Sequence, residues 1–176
     1  MILKGFREKS NKKFLNKLLS ERKVNIDNNP IKSLGVILNY DEINDFNVFN
    51  ALAARLQVHT TQIKVIGYTF DIKNQDTLWH SCFNEKDFGW KGDIKNIELD
   101  SFLDKSFDVL ISYYTEAHLE LKLMTALSKS QLKIGILQTD LRLNDLIIKT
   151  NIKDINTFED EVVKYLKILN KVKNNE

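Results

Sequence analysis

The chain of 176 residues contains one cysteine, one proline and six glycines. Because Cys82 is the only cysteine, an internal disulfide framework and an all-cysteine zinc site are excluded. The scarcity of proline and glycine excludes collagen-like and loop-dominated architectures. No apolar run reaches the roughly 18 residues that a bilayer-spanning helix needs, and no apolar stretch follows the basic N-terminus as it would in a secretory signal. The sequence therefore predicts a cytoplasmic protein with a reduced cysteine.

The motifs of several nucleotide-dependent enzymes are also missing. A dinucleotide site needs glycines in the turn after the first strand, but residues 39–42 read Asn-Tyr-Asp-Glu, with two acids where phosphate would sit. The chain has no P-loop and no G-x-S-x-G nucleophile elbow. Gly35, Gly67 and Gly135 lie inside predicted strands, where we expect them to allow close packing of helices on the sheet. We therefore predict no cofactor.

Charge is distributed unevenly along the chain. Residues 1–23 contain eight basic and two acidic residues, a net charge of +6, while the other 18 basic and 22 acidic residues give −4. Residues 25–30 (NIDNNP) are polar and contain the only proline, which is typical of a linker. This pattern predicts a basic helical arm over residues 1–24, a linker over 25–30 and a single α/β domain over 31–176.

After the linker, short apolar runs alternate with helical patterns. The runs of strand length are residues 34–38, 63–70, 107–114 and 132–137. Weaker strands are predicted at 94–99 and at 146–149, the second with an antiparallel pairing as one option because its connection is short. Runs that are apolar on both faces are typical of a parallel sheet covered by helices on both sides. We therefore predict a three-layer, Rossmann-like α/β sandwich with a mostly parallel sheet of five to six strands and a basic N-terminal helix.

Three further helices are predicted from apolar residues at helical spacing. The first covers residues 42–56, with Asp41 placed to cap its first turn. The second covers residues 116–128. The third covers residues 157–172, with Thr157 as its N-cap.

Polar and aromatic side chains follow the carboxyl ends of the predicted strands, where open parallel sheets bind ligands. They are Tyr40, Asp41, Asp71, Tyr113, Tyr114, Gln138, Thr139, Asp140, Arg142 and Asn144. Asp41, Asp71 and Asp140 carry the hard oxygen ligands that Mg²⁺ prefers. We favour the simpler interpretation, without a metal, in which Asp41 and Asp140 cap helices or turns. Binding or conversion of a small molecule or nucleotide-type ligand at this edge is the alternative function.

Both tryptophans lie in the long connection over residues 71–106. Its aromatic cluster consists of Trp79, Phe83, Phe88 and Trp90. Aromatic rings interleaved with lysines can stack single-stranded bases, but they can equally form a satellite core under a long loop. We favour the satellite core because Glu85, Asp87 and Asp93 dilute the positive charge.

The basic arm is predicted to be helical because Phe14, Leu15, Leu18 and Leu19 form an apolar stripe. Its candidate contacts to an anionic partner are Lys4, Arg7, Lys9, Lys12, Lys13 and Lys17. Three interpretations stay open. The arm docks on its own domain through the apolar stripe, it binds the phosphates of RNA or DNA, or it lies on an anionic membrane surface.

Three segments resemble a small family of bacterial proteins of unknown function: residues 1–23, residues 79–92 (WHSCFNEKDFGWKG) and residues 107–150. The resemblance implies a compact cytosolic protein and assigns no catalytic residue. Residues 107–137 are also similar to the N-terminal halves of heptosyltransferase-like glycosyltransferases, whose second, nucleotide-sugar-binding half the chain lacks.

From the uneven charge, we predict a non-catalytic binding or regulatory module that contacts RNA, the ribosome or a membrane surface through its N-terminal helix.

Overall fold

A computed structural model describes residues 2–24, 26–70, 81–115 and 118–172. Its strands are β1 (Leu34–Asn39), β2 (Ile63–Tyr68), β3 (Ser81–Phe83), β4 (Val109–Tyr113), β5 (Leu132–Ile136) and β6 (Leu146–Ile148). Its helices are α1 (Ile2–Glu21), α2 (Asn50–Arg55), α3 (Ile97–Asp104), α4 (Leu119–Leu127) and α5 (Ile155–Ile168). None of these helices combines the length and the hydrophobicity needed to cross a lipid bilayer.

The strands form one parallel sheet in the order β3-β2-β1-β4-β5-β6. Every residue of β1, β4 and β5 is buried, because these mostly apolar runs are covered by helices on both sides of the sheet. On one side Val36 packs in a cluster with residues of α2 and α5. On the other side Ile37 packs with residues of α1, α3 and α4. The predicted three-layer, Rossmann-like architecture is confirmed, and the direction of strand order reverses between β1 and β4.

The predicted N-terminal helix is present as α1 and shares a core with the sheet. Leu15 and Leu19 are buried in the cluster that also contains Leu110 of β4. In the predicted linker, Asp27 accepts a hydrogen bond from the buried ammonium group of Lys171 at 2.7 Å. The division into arm, linker and domain stays a prediction.

The helix predicted over residues 42–56 is wrong for most of its length, because α2 begins only at Asn50. The preceding loop is held by short polar side chains. Asp45 Oδ1 accepts from the Asn47 N–H at 2.8 Å, and Asn47 Oδ1 accepts from Asn50 Nδ2 at 3.2 Å. Such local bonds compete with helix formation. Phe49 is nevertheless buried, so its apolar spacing reflects core packing rather than a continuous helix.

The strand predicted over residues 94–99 is also wrong. Asn96 instead caps α3, accepting a hydrogen bond from the Glu98 N–H at 2.9 Å, and only Ile94 forms an isolated bridge, with Phe88. The true third strand, β3, has three residues. A strand that short presents no periodic pattern from which it can be recognised.

The last strand differs from prediction in its direction, and the last helix differs in its N-cap. The antiparallel option for β6 is wrong, because β6 pairs with β5 in parallel. Asp145, just before β6, binds near the start of β5: its N–H donates to the Lys133 carbonyl at 2.8 Å, and its Oδ2 accepts from the Lys133 N–H at 2.8 Å. In α5 the N-cap is Asp154 rather than Thr157, since Asp154 Oδ1 accepts from the Thr157 N–H at 3.2 Å.

Candidate functional site

The carboxyl ends of β1 and β4 border the crevice in which folds with this strand order bind ligands. Glu42 lies between the segments that follow these strands. Its carboxylate accepts hydrogen bonds from the Thr115 N–H, at 2.9 Å to Oε2, and from the Thr115 hydroxyl. The sequence showed an acid at this position but did not indicate its role. A phosphate placed here would meet a negative charge.

Asp41 makes the corresponding connection between the ends of β1 and β2. Its carboxylate accepts from the Thr69 hydroxyl at 2.9 Å and from the Phe70 N–H at 3.1 Å. The prediction that Asp41 caps a helix is wrong, because α2 begins at Asn50 and both carboxylate oxygens bind the segment after β2. Asp41 therefore links two neighbouring strands.

Gln138 links β4 to the loop that follows β5. Its Nε2 donates to the carbonyl oxygens of Ser112 and Tyr114, at 2.9 Å each. Asn144 packs beside it, and both amides lie over Gly135, where an added Cβ would be 2.0 Å from Gln138 Oε1 and 2.4 Å from Asn144 Nδ2. The close approach of these two amides therefore requires a glycine at position 135. We had expected an overlying helix to be the reason.

The tyrosines of this edge face the interior. The Tyr113 hydroxyl donates to the Ile152 carbonyl at 2.6 Å, and the Tyr114 hydroxyl shares a hydrogen bond with Thr125 Oγ1 at 2.8 Å. Burial raises the pKa of both phenols, which stay protonated and serve as core hydrogen-bonding groups. Tyr40 is half-buried at the same edge.

Asp140 and Arg142 form an ion pair at the rim of the edge. Arg142 donates from Nε to Asp140 Oδ1 at 2.9 Å, and the guanidinium hydrogen bonds lower the pKa of Asp140. The Arg142 N–H also donates to Asp140 Oδ1 at 3.1 Å, which forms an Asx turn. Thr139 is exposed, and Asp71 lies outside the described residues. In the part of the chain that the structure describes, no three His, Cys, Asp or Glu side chains are placed to hold a metal.

The aromatic cluster of the long connection is divided between core and surface. Phe83 and Phe88 are buried, and Phe83 packs edge-on against Tyr68 with ring centroids 5.7 Å apart. Trp90 is 50% exposed. Trp79 lies outside the described residues.

The inner face of α1 is fixed to this connection by hydrogen bonds as well as by apolar contact. Asn11 is buried, its Nδ2 donates to the Gly89 carbonyl at 3.0 Å, and its Oδ1 accepts from the Gly92 N–H at 2.9 Å. Gly92 has a φ of 71° and lies against the ring of Phe14. The structure therefore shows α1 packed against the rest of the fold.

The predicted arm residues divide by the direction they face. Three of them form exposed ion pairs: Lys4 with Glu85, Lys12 with Glu8 and Lys17 with Glu21. Arg7 is half-buried, whereas Lys9 and Lys13 are exposed. Since residues four apart share one helix face, Lys9, Lys13 and Lys17 form a stripe on the side away from Leu15. We call these three residues the lysine stripe.

A buried lysine was missed at the sequence level. Lys133 of β5 is 3% exposed, and its Nζ donates to the carbonyl oxygens of Thr125 at 2.6 Å and Ala126 at 3.3 Å. Burial lowers its pKa to about 8. It lines a cavity of about 380 Å³ together with Arg22 and Lys129. The sequence feature that could have revealed it is a lysine inside an otherwise apolar strand. Its hydrogen bonds show that it caps the last carbonyls of α4.

A family model described as "Family of unknown function (DUF6913)" matches residues 7–169 of the chain. The chain belongs to this family. The resemblance to a family of unknown function is thereby confirmed, while the bacterial origin and the local glycosyltransferase likeness stay predictions. The matched range covers α1 from Arg7 onward together with all six strands. No curated protein and no solved structure gives a significant match.

Proposed function

We propose that this DUF6913 protein is a non-catalytic, cytoplasmic binding module that holds an anionic partner against the outward face of α1. The observation that carries the proposal is the fixed orientation of this helix. Leu15, Leu19 and Asn11 bind its inner face to the domain, so that the lysine stripe is directed to solvent.

The lysine stripe is suited to a weakly specific contact. At a rise of about 1.5 Å per residue, Lys9 and Lys17 lie about 12 Å apart along α1, and the three lysines recur about once per turn. Lys9 and Lys13 form no ion pair with another described residue, and Lys17 is 3.9 Å from Glu21. Exposed ammonium groups interact over a screening length of about 10 Å at 0.1 M salt, so the contact depends on ionic strength.

The carboxyl edge of the sheet supports the same choice over a small-ligand function. The side chains of Asp41, Glu42 and Gln138 are engaged in hydrogen bonds within the fold. A ligand at this edge would have to replace these bonds, and two of the three side chains carry negative charge.

The test replaces the lysine stripe and leaves the helix in place. Deleting residues 1–23 would remove Leu15 and Leu19 from the core, so a truncated chain would report on folding rather than on binding. We therefore compare the full chain with the variant K9Q/K13Q/K17Q for binding to poly(U) RNA and to vesicles containing phosphatidylserine. We expect one of these probes to bind the full chain at low salt, and the variant to bind it on the order of 100-fold more weakly.

The matched control is K149Q/K153Q/K167Q, which removes the same charge from exposed lysines outside α1. This control is expected to bind within about two-fold of the full chain, because the contact depends on the position of the charges and not on the net charge alone. Equal losses in the two triple variants, or no binding of either probe by the full chain, would contradict the proposal.

A further inference from the structure

Three large apolar side chains are exposed at the N-terminal end of α1. Leu3 is 75% exposed and Phe6 is 59% exposed, and these residues are neighbours on the helix because they are three positions apart. Trp90, 50% exposed, lies beside Leu3, since it lines a shallow cavity of about 240 Å³ together with Leu3, Lys4 and Arg7. We call Leu3, Phe6 and Trp90 the apolar tip.

Basic side chains lie beside the apolar tip and continue along α1. Lys4 and Arg7 line the same cavity as Leu3 and Trp90. Lys91 is exposed next to Trp90. On the outer face of α1, Phe6 is followed by Lys9, Lys13 and Lys17 at intervals of three, four and four residues. The surface therefore combines an apolar end with a row of cations.

Resting on the function proposed above, we infer that the anionic partner is a lipid surface, with the apolar tip inserted among the headgroups and the lysine stripe along the anionic plane. Leucine, phenylalanine and tryptophan partition into the membrane interface, where tryptophan is enriched. Lysine side chains beside them keep their ammonium groups at the level of the phosphates.

The shape of α1 favours this partner over a nucleic acid. Proteins that bind single strands place their cations in a groove that follows the backbone and use aromatic rings to stack bases. Here the lysine stripe stands on the outer, convex face of a helix, and the most exposed member of the apolar tip is Leu3, which has no ring to stack. An anionic lipid bilayer presents a flat charged surface above an apolar core, which matches both the lysine stripe and the apolar tip.

The inference has a spectroscopic test on the full chain. With Trp79 replaced by phenylalanine, Trp90 is the only tryptophan, and its emission reports its surroundings. We expect a blue shift of this emission with phosphatidylcholine vesicles containing about 30% phosphatidylserine, and none with pure phosphatidylcholine. Leu3→Ser with Phe6→Ser should weaken vesicle binding on the order of ten- to a hundred-fold. Because both side chains are exposed, the thermal midpoint of this variant should stay unchanged.

The outcomes separate this inference from the function on which it rests. Vesicle binding could depend on the lysine stripe while Trp90 emission does not shift and the Leu3/Phe6 variant binds as tightly as the full chain. That result would overturn insertion and leave the anionic contact standing. Binding of poly(U) RNA without vesicle binding would overturn the lipid partner and leave the proposed function standing. If the full chain binds neither probe, both fail together.

Discussion

Replacing Lys133 with methionine is expected to change how the stability of the protein depends on pH. The ammonium group of Lys133 is buried, and burial lowers its pKa from 10.5 to about 8. Between these two pH values the unfolded chain binds the proton more tightly than the folded one. The free energy of unfolding therefore rises as the pH increases through this range, and the gain is lost as the pH falls through about 8.

The size of the effect follows from the two pKa values. From pH 7 to pH 9.5, deprotonation of Lys133 adds about 2 kcal/mol to the free energy of unfolding of the wild-type chain. Lys133→Met lacks this contribution at every pH. We therefore expect the stability difference between the two proteins to shift by about 2 kcal/mol in favour of the wild type over this interval.

Urea unfolding of both proteins at several pH values measures this difference. Other groups that titrate at high pH, including the buried tyrosines, are present in both proteins and cancel. Lys149→Met is the matched control, because Lys149 is exposed, and its stability difference should stay constant with pH. A constant difference for Lys133→Met as well would show that the ammonium group has an ordinary pKa, and would refute the argument from burial.

Two further substitutions test the polar contacts at the edge of the sheet. Gly135→Ala should destabilise the protein by about 1–3 kcal/mol in urea unfolding, because the added Cβ would lie 2.0 Å from Gln138 Oε1. The control is Gly5→Ala in α1, where an added Cβ meets nothing within 4 Å; this substitution should stabilise the protein by up to about 1 kcal/mol. Glu42→Gln should cost about 1–2 kcal/mol by the same measurement, because one of the two charged acceptors of Thr115 becomes a donor; an unchanged stability would mean that this bond does not hold the two strands together.

The parts of the fold that follow from burial were predictable. Residues of β1, β4 and β5 are covered by helices on both faces, so most of their positions are apolar, and a buried exception such as Lys133 forms hydrogen bonds within the fold. The loop over residues 42–49 was not predictable from apolar spacing, because Phe46 and Phe49 pack in the core from a non-helical backbone. Apolar periodicity records which residues are buried, and only indirectly the backbone that buries them.

The edge of the sheet shows a different limit. Its polar residues were recognisable as a group because they follow strand ends, but their partners were not. Glu42 binds Thr115, which is 73 residues away, and Gln138 binds Ser112, which is 26 residues away. Whether a strand-end carboxylate faces a ligand or a neighbouring loop depends on contacts between segments remote in sequence. For the same reason, the sequence did not indicate the outward direction of the lysine stripe, which depends on the hydrogen bonds of Asn11 to the remote Gly89 and Gly92.

The contacts of α1 also bear on the order in which the chain folds. Asn11 binds Gly89, 78 residues further along, and Arg22 binds Asp145, 123 residues further along. During synthesis α1 is made before the elements that it packs against, and the surfaces that cover Leu15 and Leu19 are completed only when most of the fold has followed. Closing such long loops is slow compared with the local pairing of the strands. We therefore expect α1 to dock late, and its lysines to keep this segment soluble while its leucines are still exposed to water.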